Sequence, residues 1–117
     1  MVAVGGALGA IARFWFAALM VKVTGPTFPW GTLIINVFGS FIIGVFATMA
    51  HGPAMVHMSH NMALFTMVGI CGGFTTFSSF SLQTLDLFRG KQVLHALGYI
   101  VSSVVMCLVG VWVGTQL

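Results

Sequence analysis

Long apolar segments alternate with short polar ones along the whole chain of 117 residues. The apolar segments cover residues 2–21, 30–50, 61–85 and 93–113. Turn residues separate the first segment from the second, at Thr24-Gly25-Pro26, and the second from the third, at His51-Gly52-Pro53. A helix needs about 20 apolar residues to cross a bilayer, and each segment reaches that length. The pattern predicts an all-α membrane protein in which residues 1–117 form a single domain of four transmembrane helices.

The third segment departs from a uniform apolar pattern in its middle. It contains Gly72-Gly73, then Thr75 and Thr76, then phenylalanines at positions 77 and 80. Because a glycine pair weakens a helix and a threonine can cap a new one, we expect a broken third helix that resumes near Phe77. A break leaves free carbonyls that suit a cation and free N–H groups that suit an anion. Such backbone is expected to line a cavity.

Phe77 and Phe80 are three residues apart and would share one helix face. The edge of an aromatic ring carries positive charge density, so two ring edges can be turned toward an anion. Taken alone, the pair is better explained by packing against a neighbouring helix.

Polar residues follow one face of the second and fourth segments. Four-residue spacing connects Thr32, Asn36 and Ser40 in the second and Tyr99, Ser103 and Cys107 in the fourth. Burying the Asn36 amide without partners would cost about 1–3 kcal/mol, and such groups inside membranes usually mark a pathway. For the serines, hydrogen bonds that hold the bundle together are an equal alternative.

Small residues four positions apart occur in every apolar segment. The pairs are Gly5/Gly9, Gly6/Ala10, Ser40/Gly44, Gly69/Gly73 and Gly110/Gly114. Such pairs let helix backbones approach closely. Packing within one bundle explains any single pair, but five pairs in four helices favour an oligomer.

Composition narrows the class of protein. Hydrophobic residues make up 59% of the chain, charged residues only 4%, and the mean hydropathy is +1.11. Soluble domains carry about 25% charged residues, so this is an integral membrane protein. The net charge of +3 reflects a scarcity of acids, of which Asp86 is the only one, and predicts no nucleic-acid surface. Lys22 lies in loop one, between the first and second segments, and Arg89 and Lys91 lie in loop three, between the third and fourth. Counting these basic residues places loops one and three in the cytoplasm.

Other candidate chemistry is weak. His51, His57 and His60 have generic spacing and are interpreted as solvated loop residues. Cys71 and Cys107 lie in apolar segments and are interpreted as small apolar side chains. Since no serine or histidine is placed with a base or acid, we predict no enzyme.

Three motifs carry a family resemblance: residues 5–13 (GGALGAIAR), 31–41 (GTLIINVFGSF) and 72–81 (GGFTTFSSFS). With them the chain resembles, over essentially its whole length, the Fluc or CrcB-type family of small bacterial fluoride channels. The resemblance implies an antiparallel, dual-topology homodimer with two fluoride pores and a structural sodium ion at the dimer interface. It implies a multi-pass protein of the bacterial cytoplasmic (inner) membrane that exports fluoride passively and confers fluoride resistance.

The resemblance also implies roles for individual residues. The fluoride pore is expected to comprise Asn36, Phe77, Phe80, Thr32, Ser79, Tyr99 and Ser103. The backbone carbonyls of Gly72 and Thr75, from both subunits, are expected to bind the sodium ion. The chain departs from the family at Gln83, where glutamate is frequent, and at Cys107, where a hydroxyl residue is expected.

Two other classes of membrane protein are alternatives to a fluoride channel. A small multidrug-resistance transporter has the same length and four helices, but it exports cations with an intramembrane glutamate, and this chain has no glutamate. A structural membrane subunit would not need the polar stripes or an interrupted third helix.

Overall fold

The computed structural model describes residues 2–25, 27–51 and 59–116 as an all-helical chain. The helices are α1 (Val2–Thr24), α2 (Trp30–His51), α3 (residues 60–74), α4 (Phe77–Arg89) and α5 (Val93–Gln116). Four spans are long and apolar enough to cross a membrane, the third being formed by α3 and α4 together. The predicted class of protein, with four long apolar helices, is confirmed. α1 continues past residue 21 and ends before Gly25, whose φ of +83° terminates the helix.

α3 is not a uniform α-helix. It begins with the turn His60–Ala63, continues as the π-helix Leu64–Cys71 and ends with the α-helical turn Gly72–Phe74. π-Helical turns are rare and are frequently found at functional sites. Nothing in the local amino-acid sequence of α3 predicts this π-helix.

The helical conformation is interrupted at Thr75 and Thr76, which have extended backbones with ψ of 157° and 115°. Gly72 and Gly73, where the sequence predicted the weak point, are helical instead. Gly73 allows close packing, because a Cβ there would lie 2.5 Å from the carbonyl oxygen of Gly6 on α1. The glycine pair serves contact between helices, and the two threonines carry the change of direction.

α1 packs chiefly against α3, with glycines facing each other across the contact. A Cβ on Gly5 would lie 2.5 Å from the carbonyl oxygen of Phe65 and 3.0 Å from the Cα of Gly69. A Cβ on Gly9 would meet the carbonyl oxygen of Ile70. The two backbones are therefore in direct contact.

α2 packs chiefly against α5 in the same manner. A Cβ on Gly44 would meet the carbonyl oxygen of Val111, and one on Gly114 would meet that of Phe41. Because these small residues pack within one chain, they no longer support the expectation of an oligomer, which has to rest on other grounds.

Large apolar side chains point away from the bundle. Trp15 is 70% exposed and Leu94 is 84% exposed, while Ile35 and Tyr99 are almost completely buried. This distribution suits a protein whose surroundings are apolar.

Candidate functional site

The ends of the two helices at the interruption are capped by the two extended threonines. The Thr75 hydroxyl donates to the carbonyl oxygen of Cys71 over 2.8 Å, and the Thr75 N–H donates to the same oxygen over 2.9 Å. Thr76 Oγ1 accepts from the N–H of Ser79 over 3.1 Å. The prediction that one of these threonines caps a new helix near Phe77 is confirmed, with Thr76 as the cap.

Asn36 on α2 forms two hydrogen bonds to the backbone of the interruption. Its Nδ2 donates to the carbonyl oxygen of Thr76 over 3.1 Å, and its Oδ1 accepts from the N–H of Thr76 over 2.9 Å. One helical turn further, Gly39 makes room for Thr75, whose methyl group would collide with any Cβ at that position. α2 thus supplies both the partner and the space for the extended residues.

A cavity of about 410 Å³ adjoins the interruption, and we call it the break cavity. Its lining includes the polar residues Asn36, Ser40, Thr75, Thr76 and Ser103, the rings of Phe77 and Phe80, Cys107 and Gly72. None of the described residues that line it is charged. A bound ion would therefore meet uncharged groups.

Ser103 gives the break cavity an available hydroxyl group. The residue is 6% exposed, and its Oγ has no hydrogen-bond partner among the described residues. Since a buried hydroxyl is normally hydrogen-bonded, this oxygen is the clearest unfilled polar position beside the cavity.

The two predicted pore phenylalanines differ in environment. Their ring centroids are 5.5 Å apart with an interplanar angle of 50°. Phe77 is 78% exposed, whereas Phe80 is half-buried against Tyr99, at a centroid distance of 5.0 Å. Phe80 is therefore fixed by packing within the chain, and Phe77 is available to contacts outside it.

A second cavity, of about 420 Å³, lies between loops one and three, and we call it the loop cavity. Thr32, Gln83, Asp86, Gly90 and Phe28 are among its lining residues. It thus contains the single acidic residue of the chain. Residues of both loops line it, so these loops lie at the same end of the molecule.

Tyr99 lies between the residues of the two cavities. Its hydroxyl donates to Gln83 Oε1 over 2.9 Å, and the centroid of its ring lies 5.5 Å from that of Phe28. Gln83 and Phe28 both line the loop cavity. On its other side it packs against Phe80 of the break cavity. Its side chain is completely buried. Tyr99 therefore fills the space between the cavities and lines neither of them.

The structure brings some predicted site residues together and separates others. Those that line the break cavity are Asn36, Phe77, Phe80, Ser103, Gly72 and Thr75. Thr32 lies in the loop cavity, and Ser79 contributes its backbone N–H to the Thr76 cap. Their roles in conduction stay predictions.

Sequence reasoning placed neither Thr76 nor Gln83 among the site residues. Thr76 had a signal, since it directly precedes the helix that starts at Phe77. In the sequence, Gln83 stands out only because glutamate is frequent at this position in the family that the chain resembles. Its hydrogen bond to Tyr99 joins residues 16 positions apart, so the sequence does not indicate it.

The histidines and cysteines add little to the site. His57 lies outside the described residues, as do the side chains of His51 and His60. Both Cys71 and Cys107 are free thiols, and no cluster of metal-binding side chains occurs among the described residues.

Comparison with known proteins identifies relatives over nearly the whole chain. The family described as CrcB-like protein, Camphor Resistance (CrcB), matches residues 1–115. A protein from Rhodospirillum rubrum named fluoride-specific ion channel FluC is 52% identical over 113 residues, which is 97% of this chain and 88% of the relative. Proteins of the same name from Methylocella silvestris and Opitutus terrae are 50% and 51% identical, covering 95% and 97% of this chain and 85% and 86% of their own lengths.

Proposed function

The chain belongs to the CrcB-like family, and we propose that it is a fluoride-specific ion channel that lets cytoplasmic fluoride leave the cell passively. The observation that carries the proposal is the uncharged break cavity beside an interrupted membrane span, with a free Ser103 hydroxyl and two phenylalanine rings. The names of the relatives, which are channels specific for fluoride, support the choice of ion.

Fluoride is small and strongly hydrated, so a pore has to replace its water with hydrogen-bond donors. The Ser103 hydroxyl, the second N–H of Asn36 and the ring edges of Phe77 and Phe80 are such donors. A fixed positive charge would hold the ion too tightly for rapid passage, whereas neutral donors allow it to leave. Chloride is larger and would fit a narrow path badly.

We further propose that two copies assemble antiparallel in the bacterial inner membrane, giving two pores for each homodimer. The exposed Phe77 ring supports this, because it is free to contact a second copy. The interruption at Thr75 and Thr76 would then be the functional break of the third span, facing its counterpart in the other copy.

A structural sodium ion between the two copies fits the chemistry of the interruption. Gly72 and Thr75 would supply backbone carbonyl oxygens, which suit a hard cation. Gly72 is exposed, and the space beside its Cα is open for 4 Å. When bound, the ion would supply positive charge that holds the two breaks together.

Efflux of fluoride from liposomes tests the function. Vesicles that contain the purified protein and are loaded with potassium fluoride should release fluoride when potassium is made permeable. Vesicles loaded with chloride should not release it. A chain that moves organic cations with a proton gradient would be a multidrug transporter, and one that moves nothing would be a structural subunit.

Labelling of single cysteines tests the dual topology. Thr27→Cys in loop one, in a background with Cys71→Ala and Cys107→Ser, should react with an impermeant thiol reagent from both sides of the membrane. Labelling from only one side would rule out the antiparallel dimer and the shared sodium ion.

A further inference from the structure

Several carbonyl groups at the interruption, those of Gly72 and Thr75 among them, lose the partners that a continuous helix would give them. In an uninterrupted α-helix each carbonyl accepts from the N–H four residues later. The carbonyl of Gly72 would pair with the N–H of Thr76, and the carbonyl of Thr75 with the N–H of Ser79. These two acceptors are the groups expected to bind sodium.

Both N–H groups are diverted to side chains. The N–H of Thr76 donates to Asn36 Oδ1 over 2.9 Å, and that of Ser79 donates to Thr76 Oγ1 over 3.1 Å. The carbonyl of Cys71, by contrast, accepts both the N–H and the hydroxyl of Thr75. The carbonyls of Gly72 and Thr75 are therefore among those at the interruption that have lost their helical donors.

We propose that Asn36 is a positioning residue for the cation site: it holds Thr76 extended and thereby keeps the carbonyls of Gly72 and Thr75 free for sodium. The inference rests on the proposed function, because it takes sodium as the ion that these carbonyls bind. It gives Asn36 a task in addition to lining the fluoride path.

The chemistry of an amide suits both tasks. An asparagine side chain has an acceptor oxygen and two N–H donors. Asn36 uses the oxygen and one N–H on the two backbone groups of Thr76, in the way that a residue of a neighbouring β-strand would. The remaining N–H is left for the break cavity, which Asn36 lines. One side chain therefore connects the fluoride path to the backbone of the cation site.

Thermal unfolding of the purified protein in sodium chloride and in potassium chloride provides the test. A cation that binds only the folded protein raises its melting temperature as the ion concentration increases. The parent should be stabilised by sodium and not by potassium. In Asn36→Ala the half-saturating sodium concentration should rise by about tenfold or more, because the carbonyls are no longer held in place.

Ser40→Ala is the matched control. Ser40 lies one helical turn from Asn36 and lines the same cavity, but within the described part of the chain it makes no hydrogen bond to the interruption. This variant should therefore keep the sodium response of the parent. Thr76→Val is a second variant, for use where Asn36→Ala does not fold. It keeps the branched side chain that favours extended backbone but lacks the oxygen that accepts from Ser79, and it should also weaken the sodium response.

Hydrogen exchange in potassium chloride gives a readout without sodium or fluoride. The Thr76 amide should exchange faster in Asn36→Ala than in the parent and in Ser40→Ala, because its acceptor is gone. Faster exchange together with the raised sodium requirement would support the positioning role.

An unchanged sodium response in Asn36→Ala would overturn the proposal, since Asn36 would then act only as a donor in the pore. Unchanged exchange at Thr76 would overturn it as well. A parent protein that conducts fluoride but is not stabilised by sodium would remove the link to a cation and leave the proposed channel standing. Absence of fluoride flux in the parent would instead overturn the proposed function.

Discussion

The break cavity and the loop cavity have nearly the same volume, about 410 and 420 Å³, but only the loop cavity is lined by a charged side chain. The loop cavity includes the exposed carboxylate of Asp86, where water and salt screen its charge. The break cavity has uncharged lining among the described residues, and a charge placed there would act through a less polar medium. The same change in charge should therefore have very different effects in the two cavities.

The largest effect is expected from Asn36→Asp, which puts a negative charge in the break cavity. Fluoride flux should fall about 100-fold or more, since like charges a few ångströms apart in such a medium repel by several kcal/mol. Asn36→Ala, which loses the donors without adding charge, should retain more flux in the liposome assay. Equal flux for Asn36→Asp and the parent would show that the break cavity is not the path.

Phe80→Ile comes next, because it removes a ring edge from the break cavity and two ring contacts within the chain. The aliphatic side chain keeps much of the bulk but offers the anion no positive ring edge, so flux should fall about tenfold. Phe77→Ile should also reduce flux strongly, and both variants should keep the oligomeric state of the parent. Normal flux in both variants would eliminate the ring-edge mechanism.

Ser103→Ala tests whether the free hydroxyl serves the ion. A fivefold lower flux, approximately, is expected, because one hydrogen bond contributes about 1 kcal/mol. The protein should keep its melting temperature, as Ser103 Oγ has no partner among the described residues to lose. A lower melting temperature with normal flux would instead mean that the hydroxyl holds the bundle together.

The smallest effect is expected in the loop cavity. Asp86→Asn removes the only carboxylate side chain of the chain, yet flux should change by less than about twofold at physiological salt because the site is screened. The change should become larger at low ionic strength. A loss as large as that of Asn36→Asp would remove the contrast between the two cavities.

The predicted parts of the fold are those set by local sequence. Four apolar helices follow from hydropathy, and the cap at Thr76 follows from its position before the helix of Phe77. The helix resumes at Phe77 as expected, but the glycine pair that was expected to weaken the helix is itself helical, and Gly73 packs against Gly6 on another helix. Contacts between distant parts of the chain decide such cases, and a propensity cannot contain them.

The candidate site shows the same limit. Four-residue spacing correctly put Tyr99 and Ser103 on one helix face, but it does not reveal whether a side chain lines a space or fills it. Tyr99 is completely buried, whereas Ser103 borders the break cavity. The bonds from Asn36 to Thr76 join residues 40 positions apart and have no signature in the sequence.

The direct backbone contacts at glycines predict how this chain tolerates genetic change. Every single-nucleotide missense mutation of a glycine codon introduces a Cβ. At Gly9, Gly44 and Gly114 that atom would collide with the backbone of a neighbouring helix, whereas at Gly6 and Gly98 it would meet nothing within 4 Å. Cells grown under selection for this protein should therefore lose all variants at the first three positions and keep alanine at the other two.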